Sequence, residues 1–218
     1  MAHELISKID YSVLKATTVK AKVLEAAEAT KRYGFATLCV FPKHVPIARL
    51  VLPREKVCSV IGFPLSAVPP QIKLSEVAYA VAEGAGELDV VVDLSAVKEG
   101  DWGRVEKELL DIRDEAPDAV LKLIIECAYL TEEEKKTLCR LAAETGWDYV
   151  KTSTGFASHG ATVADVELLK EWCADKVKVK AAGGIRTPEA AELFIKAGAD
   201  RIGTSSGVEI AESLLHGR

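Results

Sequence analysis

The stretch ELDVVVDL, Glu87 to Leu94, decides the fold. Its unbroken valine run reads as a strand buried on both faces, the mark of a parallel sheet covered by helices. Upstream, Val57 to Phe63 and Ala36 to Phe41 are further apolar runs stopped by glycine or proline. Leu5 to Leu14 reads as a short helix leading into a first strand at about Ile9 to Leu14. Between these strands, Lys20 to Tyr33 places Val23, Ala26, Ala27 and Thr30 on one helical face and ends at Gly34; Ile72 to Glu83 follows the Pro69-Pro70 break and stops at Gly84.

Downstream the alternation continues. A helix over Trp102 to Glu115 precedes a strand over Val120 to Cys127. Thr131 and Glu134 form a capping box that opens a helix closed at Thr145 by Gly146. A sixth strand falls within WDYVKTSTGF, Trp147 to Phe156, then a helix over Thr162 to Trp172 and a strand over Lys176 to Ala182. Thr187 caps the next helix, Pro188 fits its first position and Gly198 ends it. Asp200 to Thr204 is an eighth strand and Val208 to Leu215 a last helix. Eight such units without a linker predict an α/β fold, a (β/α)8 barrel forming one domain over residues 1–218. A doubly wound open sheet is the alternative. It would bring a GxGxxG after the first strand, and none is there.

Composition narrows the function classes. Hydrophobic residues make up 49% of the chain, enough for a sizeable core, and the net charge of -5 argues against a general nucleic-acid surface. Apolar runs are short, so no membrane span or secretory segment is expected and the cytoplasm is the default compartment. Cys39, Cys58, Cys127, Cys139 and Cys173 are odd in number and widely spaced, as reduced thiols are. His3, His44, His159 and His216 are scattered, giving little support to zinc or a histidine triad.

In a (β/α)8 barrel the chemistry sits at the C-terminal ends of the strands, and here the strands carry charge: Asp89, Lys122, Lys151, Lys178 and Lys180, with Glu126 near the end of the fifth. Lys122 shares a strand face with Glu126 and Lys178 with Lys180, although alternation alone leaves open which face points inward. Lys122 can simply pair with Glu126, and Lys178 can be a snorkelling lysine at the strand entrance. Lys151 is either a paired structural lysine or a Schiff-base nucleophile. A free lysine is neutral in only about one molecule in 2,500 at pH 7, so a nucleophilic amine needs burial or a neighbouring cation, which Lys180 on the next strand would supply. Asp89 would then relay a proton. Three loops follow strands six to eight, Thr152 to Gly155, Gly183 to Thr187 and Gly203 to Gly207; their glycines and hydroxyls suit anion binding, and a phosphorylated small molecule is the implied ligand.

IGFPL (Ile61 to Leu65), ELDVVVD (Glu87 to Asp93), LKLIIE (Leu121 to Glu126), VKTSTGF (Val150 to Phe156), VKAAGGIRT (Val179 to Thr187) and GTSSG (Gly203 to Gly207) together resemble the deoxyribose-phosphate aldolase family over nearly the whole chain. The pairing of VKTSTGF with VKA-x-GGIRT is the specific part. The resemblance implies a class I aldolase that reversibly cleaves 2-deoxy-D-ribose 5-phosphate to D-glyceraldehyde 3-phosphate and acetaldehyde, without metal or cofactor. It implies Lys151 as the Schiff base, Lys180 as the residue that perturbs its pKa and assists proton transfer, and Asp89 as proton relay. A phosphate would rest on Thr154, Gly155, Gly183, Gly184, Ser205 and Ser206, chiefly through backbone N–H groups, with Asp10, Cys39 and Lys122 as second-tier positions near the substrate. The family commonly has other residues at Tyr11, Ser12, Ala16, Ser66 and Ala182; a lost hydroxyl at Ala182 and the bulk of Tyr11 near the barrel mouth bear on substrate placement. Another Schiff-base barrel aldolase, or a sugar-phosphate-binding barrel without activity, are the competing readings. A homodimer or higher homo-oligomer is the expected assembly.

Overall fold

The structure, a computed structural model, describes residues 2–217; Met1 and Arg218, the ends of the expected 1–218 domain, lie outside the described residues. Eight parallel strands close into a barrel in chain order: β1 (Ile9–Val13), β2 (Thr37–Val40), β3 (Val57–Ile61), β4 (Glu87–Val91), β5 (Val120–Ile124), β6 (Tyr149–Lys151), β7 (Lys178–Ala182) and β8 (Arg201–Thr204). Asp10 pairs with Gly203 to join β1 to β8, which rules out the open sheet. The helices are α1 (Ala2–Ile6), α2 (Lys20–Tyr33), α3 (Val45–Ala48), α4 (Pro70–Ala82), α5 (Leu94–Glu99), α6 (Trp102–Glu115), α7 (Glu132–Glu144), α8 (Val163–Cys173), α9 (Pro188–Lys196) and α10 (Gly207–His216). Among the described residues, no helix is long and apolar enough to cross a membrane.

The punctuation read from the sequence is present. Thr131 and Glu134 form both halves of the capping box of α7, and the Thr187 side chain accepts from Ala190 N at the start of α9. The strands, however, stop sooner than their apolar runs. β3 ends before Gly62, whose φ is +61°, and β5 ends before Glu126, whose φ of +54° takes it out of the pleat.

Alternation divides the barrel into two environments. Leu38, Leu88, Val90, Leu121, Leu123, Val150, Val179 and Ile202 face outward and join the apolar core between sheet and helices. The opposite parity carries Asp10, Glu87, Asp89, Lys122, Lys151 and Lys180 into the interior, all buried. Barrel interiors are usually filled with branched apolar side chains. Here charge shares the interior with an apolar corner of Cys39, Cys58 and Val60, backed by Leu14, Phe41 and Phe63, and with the inward side chains of Val91, Ile124 and Tyr149. The core that holds the fold is therefore the outer layer.

Tyr11 belongs to that layer. It borders the barrel mouth, as expected, while its ring packs 5.6 Å from that of Phe35 and against Gly207, which seats its bulk between β1, α2 and α10. Ser66 adopts φ +53°, a conformation glycine takes without strain.

One ion pair in the outer layer supports the region around β4. Lys73 on α4 lies 2.7 Å from Glu108 on α6 and donates to Val91 O at 2.9 Å, with both side chains buried. Lys73→Met leaves the Glu108 carboxylate buried without its cation, and the expected loss in chemical denaturation is about 3–5 kcal/mol. Lys73→Met with Glu108→Leu should recover most of it.

Candidate active site

Lys151 is the last residue of β6, so its side chain rises from the strand's C-terminal end into the barrel mouth. Its Cα partners across the ladders are Ile124 and Lys180. The Lys151 amine donates to Asp89 Oδ2 at 2.7 Å, and the Lys180 amine donates to the same oxygen at 2.6 Å. The two amines are thus held side by side by one carboxylate. Lys122 donates to the other oxygen, Asp89 Oδ1, at 2.9 Å, and the Cys58 thiol lies 3.2 Å from it.

Deeper in the barrel the contacts continue. Lys180 Nζ is 2.6 Å from Asp10 Oδ2, and Lys122 Nζ is 2.6 Å from Glu87 Oε2; both are close ionic contacts off the hydrogen-bonding axis. Arg201 donates to Asp10 Oδ1 at 2.6 Å and to Glu87 Oε1 at 3.4 Å, while Thr37 donates to Asp10 Oδ1 at 2.9 Å. Burial alone would raise the Asp89 carboxyl, but Lys122, Lys151 and Lys180 outweigh it and hold it well below the usual carboxylate range. Asp10 is lowered in the same way: burial is opposed by Lys180, Lys122 and Arg201. For Lys180, burial works against the ammonium and the Asp10 and Asp89 carboxylates prevail, so its pKa is raised and it stays charged. Lys122 is likewise pushed well above the ordinary lysine value, its burial overcome chiefly by Asp89.

Above this cluster opens a cavity of about 690 Å³. Lys151, Lys180, Asp10 and Cys39 reach it, as do Thr154, Gly155, Gly183, Gly184, Ser205 and Ser206, and Ala182 lines its wall with its methyl against Gly203. Asp89 and Lys122 do not line it; they lie beneath, fully buried. The Cys39 thiol is 4.0 Å from Asp89 Oδ2. Phe63 packs edge-on to Phe41 and to Phe156, at 6.1 and 5.3 Å between ring centres, and this aromatic row borders the mouth past Phe156.

The rim loops differ in what their backbones offer. Among the described residues, the N–H groups of Gly155, Gly183, Gly184 and Ser205 have no intramolecular partner. Those of Thr154 and Ser206 are taken, the first by the Glu126 carboxylate at 3.2 Å and the second by Thr204 Oγ1 at 2.9 Å. Two glycines are required by close approach: a Cβ on Gly160 would lie 2.1 Å from Gly183 O, and one on Gly183 would meet Gly160 Cα at 2.8 Å. The loop after β6 is thereby seated on the loop after β7. Ser206 precedes the first turn of α10, so the amino end of that helix lies beside the same rim.

The structure corrects the pairing of Lys122 with Glu126. Glu126 lies beyond the end of β5 and turns outward to accept from Thr154 N and Oγ1, so Lys122 takes Asp89 and Glu87 instead. Lys178 is the exposed lysine expected at the strand entrance, its amine 5.5 Å from the centre of the Tyr149 ring. Glu87 and Arg201 escaped the sequence reading. Glu87 shares the parity of Asp89 two residues on, and Arg201 that of Gly203, so alternation applied to every strand would have placed both inside.

The chain is similar to known proteins over nearly its whole length. The family model described as "DeoC/LacD family aldolase" matches residues 8–213. The chain is 46% identical over 215 residues to a deoxyribose-phosphate aldolase of Geobacillus sp. (strain WCH70), covering 97% of this chain and 96% of that protein. The solved structure "QR15, an Aldolase" superposes with a TM-score of 0.94 at 44% identity, covering 97% of this chain and 96% of the other. A deoxyribose phosphate aldolase from Aeropyrum pernix, described as a unique tetrameric structure, superposes with a TM-score of 0.90 at 34% identity, covering 100% of this chain and 94% of that one.

The charged interior sets an acid limit. A carboxylate whose folded pKa is depressed contributes stability that is complete above its unfolded value of about 3.9 and is lost as pH falls through the folded value. Asp89→Asn is expected to cost about 3–5 kcal/mol at pH 7, because three buried lysines lose their shared anion. In denaturant titrations the gap between the two proteins should stay constant from pH 7 to about pH 4 and narrow below it.

Proposed function

Because the chain belongs to the DeoC/LacD family of aldolases, we propose that it reversibly cleaves 2-deoxy-D-ribose 5-phosphate to D-glyceraldehyde 3-phosphate and acetaldehyde through a Schiff base on Lys151. The observation that carries this reading is the Lys151 amine at the floor of the cavity, sharing Asp89 Oδ2 with Lys180 beneath a rim of glycine and serine loops.

The free amine of Lys151 adds to the aldehyde carbon of the open-chain sugar, and loss of water gives an iminium. The C3 hydroxyl then gives up its proton, the C2–C3 bond breaks, and its electron pair passes into the iminium as glyceraldehyde 3-phosphate departs. Protonation of the resulting enamine carbon and hydrolysis of the imine release acetaldehyde and restore the amine. The iminium is the electron sink, so the chemistry calls for neither metal nor cofactor.

The nucleophile must be uncharged to attack. Three carboxylates, Asp10, Glu87 and Asp89, face four cations, Lys122, Lys151, Lys180 and Arg201, so the buried set is neutral when Lys151 has no proton. Lys151 has a single carboxylate contact and shares it, whereas Lys180 contacts two carboxylates. Lys180 keeps a positive charge beside the nucleophile. Asp89 has no surface in the cavity, so its part is to pass protons between the two amines through its common oxygen rather than to touch substrate.

The phosphate is assigned to the rim formed by Thr154, Gly155, Gly183, Gly184, Ser205 and Ser206. The N–H groups of Gly155, Gly183, Gly184 and Ser205 are the available donors, and Thr154 and Ser206 hold the turns that present them. The substrate is thus a small phosphorylated sugar rather than a nucleic acid. A homodimer or higher homo-oligomer in the cytoplasm is the assembly we assign, in keeping with the tetramer described for the Aeropyrum pernix relative.

Borohydride with acetaldehyde should leave a reduced adduct on the peptide containing Lys151, read by mass spectrometry, and absence of any adduct there would overturn the reading. Lys151→Leu should abolish adduct and cleavage together. Lys180→Leu should lower cleavage on the order of 100-fold or more. Acetaldehyde among the products distinguishes this reaction from that of a Schiff-base barrel acting on another sugar or keto acid.

A further inference from the structure

The ion pairs of the barrel interior close on themselves. Arg201 contacts Asp10, Asp10 contacts Lys180, Lys180 contacts Asp89, Asp89 contacts Lys122, Lys122 contacts Glu87, and Glu87 returns to Arg201. Three cations alternate with three anions in this circuit, which is neutral by itself. Lys151 hangs from it at Asp89 as the surplus cation.

We propose that Arg201 and Glu87, neither of which reaches the cavity, are positioning residues that set the pH at which Lys151 reacts. The proposal rests on Lys151 being the Schiff-base residue. Arg201 takes Asp10 Oδ1 and so leaves Oδ2 to Lys180, and Glu87 gives Lys122 a second carboxylate besides Asp89. Both residues act on the nucleophile through that chain of contacts and through their charge.

The direction of each effect follows from the charges around the amine. Lys151 on β6 is faced by Asp89 and Glu87 on β4, Lys122 on β5, Lys180 on β7, Asp10 on β1 and Arg201 on β8. The thiols of Cys39 on β2 and Cys58 on β3 and the Tyr149 phenol on β6, whose ring centre lies 5.7 Å from the Arg201 guanidinium carbon, complete the circle, and Glu126 beyond β5 is committed to Thr154. Removing the Arg201 charge leaves a cluster that is neutral with Lys151 protonated, so the reactive amine appears only at higher pH. Removing the Glu87 charge adds to the surplus, so it appears at lower pH. Arg201→Lys keeps the charge and gives up the second contact.

The test is the rate of cyanoborohydride trapping of acetaldehyde on the Lys151 peptide as a function of pH. In Arg201→Met the acid limb of that profile should move up by about one pH unit, and in Glu87→Gln it should move down by about as much; this is the size expected for a unit charge about 10 Å away at an effective dielectric of about 20. Arg201→Lys should leave the limb where it is, whatever it does to the rate. A purely structural role would lower the rate without moving the limb. Limbs that coincide with that of the unaltered chain, or that move the same way in Arg201→Met and Glu87→Gln, overturn the proposal. If Arg201→Met loses its far-UV circular dichroism, Glu87→Gln and Arg201→Lys decide: a limb that stays put in the first, or shifts in the second, is fatal. An unaltered chain that gives no adduct at any pH defeats the aldolase reading itself, a result separable from unmoved limbs in a chain that does react.

Discussion

Asp89 is the interaction on which the rest of the barrel depends. It has no exposure to solvent, and Lys122, Lys151 and Lys180 all converge on its two oxygens. An unpaired charge in such a place costs several kcal/mol, so each lysine is tolerable only because the carboxylate is there, and the carboxylate only because of the lysines. The interior is therefore built around charge, with apolar side chains such as Val60, Val91 and Ile124 filling the space beside it. Cohesion falls to the outer layer, where the strands' other parity meets the helices in one continuous core, and that division of labour leaves the inside of the barrel free to carry charge.

The same arrangement separates the roles of residues that look alike in the chain. Three lysines on three consecutive strands face one aspartate, yet they differ in depth and in number of anions. Lys122 is enclosed by carboxylates below the cavity, Lys180 is held charged between Asp10 and Asp89, and Lys151 stands at the strand end with a shared partner. Position along the barrel axis, more than residue type, decides which amine is available to a ligand.

Much of this was legible from the residues. The valine run of β4 gave the parallel sheet, and the glycine, proline and threonine signals placed the long helices within a few residues. Helices α3 and α5 escaped because four and six residues are too few to show a helical period. In the site, the lysines and Asp89 stood out because charge inside an apolar run is costly. Glu87 and Arg201 did not, since each is the first residue of its strand and reads as an ordinary solvated end. Glu126 misled for a related reason: alternation was carried past Ile124, where the pleat had already stopped. The donors of Thr154 and Ser206 were counted for a ligand because sequence shows that an N–H exists and not what it already holds.

The seating of Gly160 on Gly183 constrains how such a site can change. Contact between two main chains has no rotamer to turn, so the loops after β6 and β7 shift together or not at all. A phosphate resting on Gly155 and Gly183 would be gauged by a spacing fixed in the backbone, indifferent to most exchanges of neighbouring side chains. Drift in the residues bordering the mouth on the β1 side, such as Ser12, Lys15 and Thr18, can then alter which molecules enter without altering where their anionic end comes to rest.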